Sequence, residues 1–346
     1  MKKTSKIKIL LSNHKSISMS RFINLCLYES GNGYYTKKKV GEDFVTSPQL
    51  SQMFGECISV FFSLIQKTTF QTTNFLELGP GNGLLLRDLI RSIYKIKKEK
   101  INYFFLEKSN FLKVNSLKDL SDKANITKLE KFILEKKPYY FICNEFFDAL
   151  PINQFERKKN IFYEKRIILK NSKFEIISKK SKFFSKRKIN IKEGDVLEIS
   201  PLSNLYLNKI FKHLNIYGGG IIIFDYGPSV KKKIDTIQAI RNKKKNNFLE
   251  HPYESDITYH IDFQEIKEKS LKFGLKAYGP ISQKKFLYYN GINERFISLT
   301  KNLQSDKQLK ALESNFRRLT DPEGMGGLIK CIYISREKID SAVFKL

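Results

Sequence analysis

Residues 74–90 read NFLELGPGNGLLLRDLI: a short apolar run containing Glu77, then Gly79, Gly81 and Gly83 at alternate positions, then an amphipathic segment. The layout is that of a strand, a tight turn and a helix. Bare backbone at the carboxyl end of a strand suits a ligand that must come close, and the pyrophosphate of a dinucleotide is the first candidate. That use needs GxGxxG, in which the third glycine lets the helix pack closely on the strand. Leu84 occupies the third position here, and the pattern is instead ExGxGxG. It suits S-adenosylmethionine, which carries no phosphate and lays its amino-acid and ribose parts along the loop backbone. Glu77 is then placed to meet the ammonium group. Glu107, ending the next apolar run, is placed to accept both ribose hydroxyls. For the glycines alone an ordinary tight turn is the bland alternative, and the joint context of strand, helix and two acids favours the cofactor.

Working outward, apolar strands alternate with helical segments. NYFFLE precedes SNFLKVNSLKDLS, YYFICN precedes EFFDALPINQF, and GGIIIFDYG follows LSNLYLNKIFKHL. Such alternation predicts an α/β fold, a parallel sheet covered on both faces with its ligand beyond the carboxyl ends of the strands. Residues 17–66 read as mainly helical around the break GNGYY, with Ser47 as the cap and Pro48 as the first residue of a later helix. The short runs between 155 and 188, separated by Asn, Ser and Lys, predict an antiparallel insertion. The polar stretch 229–262 predicts an exposed, mobile loop. The organisation expected is a helical cap at 1–66 followed by a catalytic domain at 67–346 that carries the insertion at 155–188.

Composition bounds the function classes. The chain has 346 residues and a net charge of +28, from 63 Lys and Arg against 35 Asp and Glu. The excess is mostly scattered lysine among abundant Ile, Asn, Phe and Tyr, so a solvated surface is favoured over a nucleic-acid site. No apolar run approaches the ~20 residues of a membrane span. Four dispersed cysteines without a CxxC pair suggest neither a disulfide framework nor a zinc or other metal site, and fit a reduced cytoplasm.

A second constellation follows YYFICN: Asn144, Glu145, Phe146, Phe147, Asp148, Ala149, Leu150, Pro151. In a doubly wound sheet this turn borders the cofactor, with Asn144 facing it, and Glu145 and Asp148 are placed to orient a cationic substrate; packing aromatics and a capping acid are the alternative. Methyltransferases of exocyclic amines in DNA carry an Asn-Pro-Pro or Asp-Pro-Pro turn there, which is absent. Asp225, after GGIIIF, is a third carboxylate suited also to capping its turn. His260 is a candidate base, although a lone histidine is more often a satisfied structural one.

Six ordered blocks, GYYTKKKVGEDFVTSPQLSQMFGE, LELGPGNG, NEFFDALPINQF, GGGIIIFDYG, DITYHIDF and LTDPEGMGGLIK, resemble the MidA family of class I S-adenosylmethionine-dependent methyltransferases. Its eukaryotic members are mitochondrial complex I assembly-factor protein arginine methyltransferases. The resemblance implies a Rossmann-like core, with the cofactor at Gly79, Gly81 and Gly83. It also implies an arginine-bearing protein substrate, such as a complex I subunit, in the cytoplasm of a bacterium or, alternatively, in the mitochondrial matrix. A non-catalytic cofactor-binding assembly factor and an RNA or DNA methyltransferase are the alternative functions. One departure stands out: the family leads one to expect a glycine-containing turn before DIT, where this chain has Tyr253 and Glu254.

Overall fold

The computed structural model describes residues 6–37, 44–66, 72–109, 112, 114–182, 192–230 and 232–344. Lys38, Lys39, the junction expected at 66/67 and the end of the insertion expected at 188 lie outside them or at their limits. The stretch that opens the sequence reading forms β2 (Asn74–Leu78), a glycine loop and α6 (Leu84–Lys97). β2 lies within a seven-stranded sheet with β3 (Ile101–Leu106), β4 (Ala124–Lys128), β5 (Tyr139–Asn144), β10 (Gly219–Tyr226), β14 (Lys276–Ser282) and β15 (Ile329–Ser335). Their order is β14-β15-β10-β5-β2-β3-β4. The strands from β4 to β10 are parallel, whereas β15 runs antiparallel to both neighbours, β10 and β14. The wholly parallel expectation is thereby corrected. A helical excursion, α9 (Gln283–Tyr289), α10 (Ile292–Thr300), α11 (Asp306–Thr320) and α12 (Met325–Leu328), returns the chain to the same end of the sheet, so β15 enters in reverse.

Both faces of this sheet are buried, which is why its strands read as continuous apolar runs. Tyr139, Phe141 and Cys143 of β5 join a core with α2 (Met19–Tyr28), α7 (Pro201–Tyr217) and α8 (Phe263–Lys272). Tyr140 and Ile142 join the opposite core with α5 (Met53–Ile65), α6 and α9. Chain order diverges at β2, whose neighbours are β3 on one side and β5 on the other. A crevice opens there, beyond the strand ends.

A second sheet joins β6 (Asn153–Lys158), β7 (Ile161–Lys170), β8 (Lys173–Lys180) and β9 (Val196–Ile199). The amino-terminal part, α1 (Lys6–Asn13), β1 (Ile17–Ser18), α2 and α3 (Tyr34–Lys37), is tied to it, because β1 pairs with Arg166 and Ile167 of β7. EFFDALPINQF is not the helix expected: residues 145–150 form a turn and β6 begins at Asn153. Asp225 accepts the N–H groups of Phe147 and Asp148, which holds the turn, and Pro151 precludes helical continuation. The helix expected in SNFLKVNSLKDLS is a 3-10 turn at Val114–Leu120. The segment 229–262 is no free loop. It builds a third sheet from β11 (Gln238–Arg241), β12 (Lys244–Lys245) and β13 (Asp256–Thr258), seated on the core through Ala239, Ile257 and Tyr259. Its lysines mark only the outer face.

Candidate functional site

A cavity of about 820 Å³ opens over the carboxyl ends of β2, β3 and β5, where the topology places it. Its floor is the glycine loop. Gly79 and Gly81 have φ of +69° and +57°, a left-handed backbone that side chains disfavour. At Gly79 a Cβ would lie 2.9 Å from Phe146 Cδ2, so the loop needs glycine for space as well as for conformation. Gly83, at φ +78°, caps α6 and does not line the cavity; its missing Cβ makes room for Leu112.

Two acids hold this end. Glu77 is buried, and Tyr103 donates its hydroxyl hydrogen to Glu77 Oε2 at 2.9 Å. Burial, reinforced by the charge of Glu107, pushes the Glu77 carboxyl up to about 8 against the opposing bond from Tyr103. Glu107 is aimed by backbone: the Gly81 N–H donates to Oε2 at 3.0 Å and the Ser109 N–H to Oε1 at 2.7 Å. Each oxygen keeps a lone pair for a hydroxyl donor. Asn144 lines the same cavity. Its Nδ2 donates to Glu145 Oε1 at 3.3 Å, while its buried Oδ1 is an acceptor with no hydrogen-bond partner among the described residues.

The opposite end is acidic and aromatic. Glu145 stands at φ +49°, its N–H donating to Phe224 O at 2.8 Å and its carboxylate accepting the Ser47 N–H. Burial first and Asp225 second raise it to about 8. Asp148 is raised well above the carboxylate range by burial and by Asp225, Glu145 and Asp256. Asp225 is fully buried and accepts from Phe147, Asp148 and Tyr226 N–H groups, so it braces the turn and stays out of the cavity. Burial raises it to about 7. His260 lines the wall, with its Nε2 3.4 Å from Gln238 Nε2. Thr46, rather than Ser47, caps the short helix α4 (Ser47–Leu50) through a reciprocal pair with Gln49, while Ser47 Oγ donates to Gln283. The preceding residues Phe44, Val45 and Thr46 line the cavity, so the segment is both a helix start and a wall.

Sequence reasoning missed Tyr28, Tyr35, Tyr206, Tyr226 and Asp256, all of which line the cavity. Signals were present for some of them, since Tyr35 and Asp256 stand inside the blocks GYYTK and DITYH.

The fold and the glycine loop between Glu77 and Glu107 define a class I S-adenosylmethionine-dependent methyltransferase. The profile of a family described as S-adenosyl-L-methionine-dependent methyltransferases matches residues 53–281, more than half of the chain. The chain belongs to that family, the MidA group, and S-adenosylmethionine is its cofactor. Similar proteins include the mitochondrial protein arginine methyltransferase NDUFAF7 homolog of Caenorhabditis elegans, 27% identical over 89% of this chain and 81% of that protein. The Homo sapiens protein arginine methyltransferase NDUFAF7, mitochondrial, is 25% identical over 90% and 78%. A Burkholderia thailandensis protein solved with S-adenosyl-homocysteine shares the fold, with a TM-score of 0.80 at 21% identity over 97% of this chain and 92% of that one. The residues on the floor fit the cofactor: bare loop backbone at Gly79 and Gly81 lining the cavity, an orphaned amide oxygen at Asn144, and an acid at each end of the loop.

Proposed function

We propose that the chain methylates an arginine of a partner protein. The observation that carries this reading is the acidic end of the cavity, where Glu145, Asp148 and Asp256 line one wall beside the glycine loop. Buried carboxyls that repel one another call for a cation, and a guanidinium presents paired N–H donors to paired acceptors. The names of the relatives agree with it.

S-adenosylmethionine supplies a methyl group activated on a sulfonium. When it binds, Glu77 would meet its ammonium, the backbone at Gly79 and Gly81 would lie against it, Glu107 would accept the ribose hydroxyls, and Asn144 Oδ1 would accept a donor from it. Gly83 acts one step removed, by fixing the start of α6. Glu145 and Asp148 orient the guanidinium so that one nitrogen lone pair is aligned for attack, and one of the two carboxylates takes the proton that this nitrogen loses. Aromatic walls keep water from the reacting nitrogen.

The partner we propose is a subunit of a respiratory complex I type assembly, in the same compartment as the enzyme: the cytoplasm, or the mitochondrial matrix, in line with the mitochondrial names of the relatives. Among the described residues no helix is long and apolar enough to cross a membrane. Mass spectrometry of total protein from cells with and without the gene tests the substrate. At least one methylated arginine should vanish on deletion and return with wild type but not with the double variant Glu145→Gln, Asp148→Asn. An unchanged arginine-methylation profile would overturn the reading.

A further inference from the structure

Tyr28 and Tyr35 stack with centroids 5.5 Å apart and planes 28° from parallel, both in the cavity wall. Their hydroxyls are anchored: Tyr28 donates to Ala149 O at 3.0 Å and Tyr35 to Asp256 Oδ1 at 2.5 Å. Ala149, whose carbonyl holds the Tyr28 hydroxyl, follows Asp148 of the substrate end, and Lys108 over the ring follows Glu107 of the cofactor end, so this ring spans the two. Lys108, next to Glu107, reaches across with its Nζ 4.9 Å from the Tyr28 ring centroid. A π face in a cavity that also holds carboxylates is a site for a cation, and the chain's own ammonium takes it.

We propose that Lys108 is an internal stand-in for the substrate: the Tyr28 face, backed by Tyr35 in the cavity that Asp148 and Asp256 also line, is the subsite for the substrate's cationic side chain, which displaces Lys108 on binding. This rests on the arginine reading above and deepens it. The ammonium is partly desolvated, and burial lowers its basicity, so moving it back to water carries little penalty. A planar guanidinium replaces it with a better match, stacking on the ring while its edge meets the carboxylates.

The test uses N-acetyl, C-amide Gly-Arg-Gly and its neutral isostere Gly-citrulline-Gly, titrated by calorimetry into the full-length protein saturated with S-adenosylhomocysteine. Wild type binds the arginine peptide in preference to the citrulline peptide. Lys108→Met binds it about three-fold more tightly, because the competitor is gone, and Tyr28→Leu loses about ten-fold, the scale of a desolvated cation–π contact. Tyr28→Phe, which keeps the ring and gives up only the bond to Ala149, retains the preference. Equal affinity of wild type, Lys108→Met and Tyr28→Leu for the arginine peptide overturns the proposal, as does weaker binding by Lys108→Met. If the subsite behaves as stated while no cellular arginine depends on the gene, only the arginine-methylation reading fails. If cellular arginine methylation holds while these variants bind alike, only the subsite fails.

Discussion

At the scale of single residues, the carboxyls of the site are set by burial. Glu145 is lifted to about 8 chiefly because it is out of water, with Asp225 adding repulsion. A cationic substrate needs it ionised, so kcat/KM for an arginine peptide is expected to rise from pH 6 to about 8 and then level. Glu145→Gln is expected to remove that limb and to lower kcat/KM by roughly 10²-fold. A profile that falls over this range, or one untouched by the substitution, speaks against the assigned role. Asp225 does not line the cavity, and the backbone N–H groups of Phe147, Asp148 and Tyr226 that it accepts make it a brace for the turn.

At the scale of elements, the turn that leads into β13 of the third sheet lacks glycine. Tyr253 stands at φ +73°, where the resemblance led one to expect glycine, and its hydroxyl accepts the Ile7 N–H at 3.4 Å. The left-handed turn is therefore kept without glycine, its strain offset by the packing and hydrogen bonding of the ring. Tyr253→Gly and Tyr253→Ala both lose the ring, yet the glycine variant should be the more stable by about 1 kcal/mol, because alanine retains the left-handed strain. Urea denaturation of the two variants checks this; the usual order, alanine above glycine, would refute it. The same segment shows where sequence reading stops. The Lys and Asn of 229–262 hide alternating Ala239, Ile257 and Tyr259, because only one side of so short a sheet meets the core. EFFDALPINQF spaces Phe146, Phe147 and Leu150 as a helix does, and the brace that prevents one comes from Asp225, remote in sequence. By contrast NFLELGPGNG was legible, since a strand buried on both faces must be apolar throughout and its turn must be bare. Glu77, Gly79, Gly81, Glu107, Asn144, Glu145 and Asp148 do line one cavity, whereas Tyr28 and Asp256 reach it only through tertiary contacts between α2, the second sheet and the third.

At the scale of the whole molecule, several buried carboxyls make the ligand-free protein sensitive to alkali. Glu77 and Glu145 are raised from near 4.5 to about 8 and Asp225 from 3.8 to about 7. The folded state thus holds protons that the unfolded state releases. This stability is fully present below about pH 4 and is lost as pH rises through 7 to 8. Melting temperature without cofactor should fall from pH 6 to 8.5, and Glu145→Gln should flatten the slope, as differential scanning calorimetry will show; a rise over that range contradicts the burial of these groups. The central claim, that the loop between Glu77 and Glu107 is a methyl-donor site, is tested most directly by titration calorimetry with S-adenosylmethionine on wild type and Gly79→Val. Saturable binding at one site per chain in wild type, abolished in Gly79→Val where a side chain would meet Phe146, is the result expected. No binding by wild type, or equal binding by the variant, would contradict it.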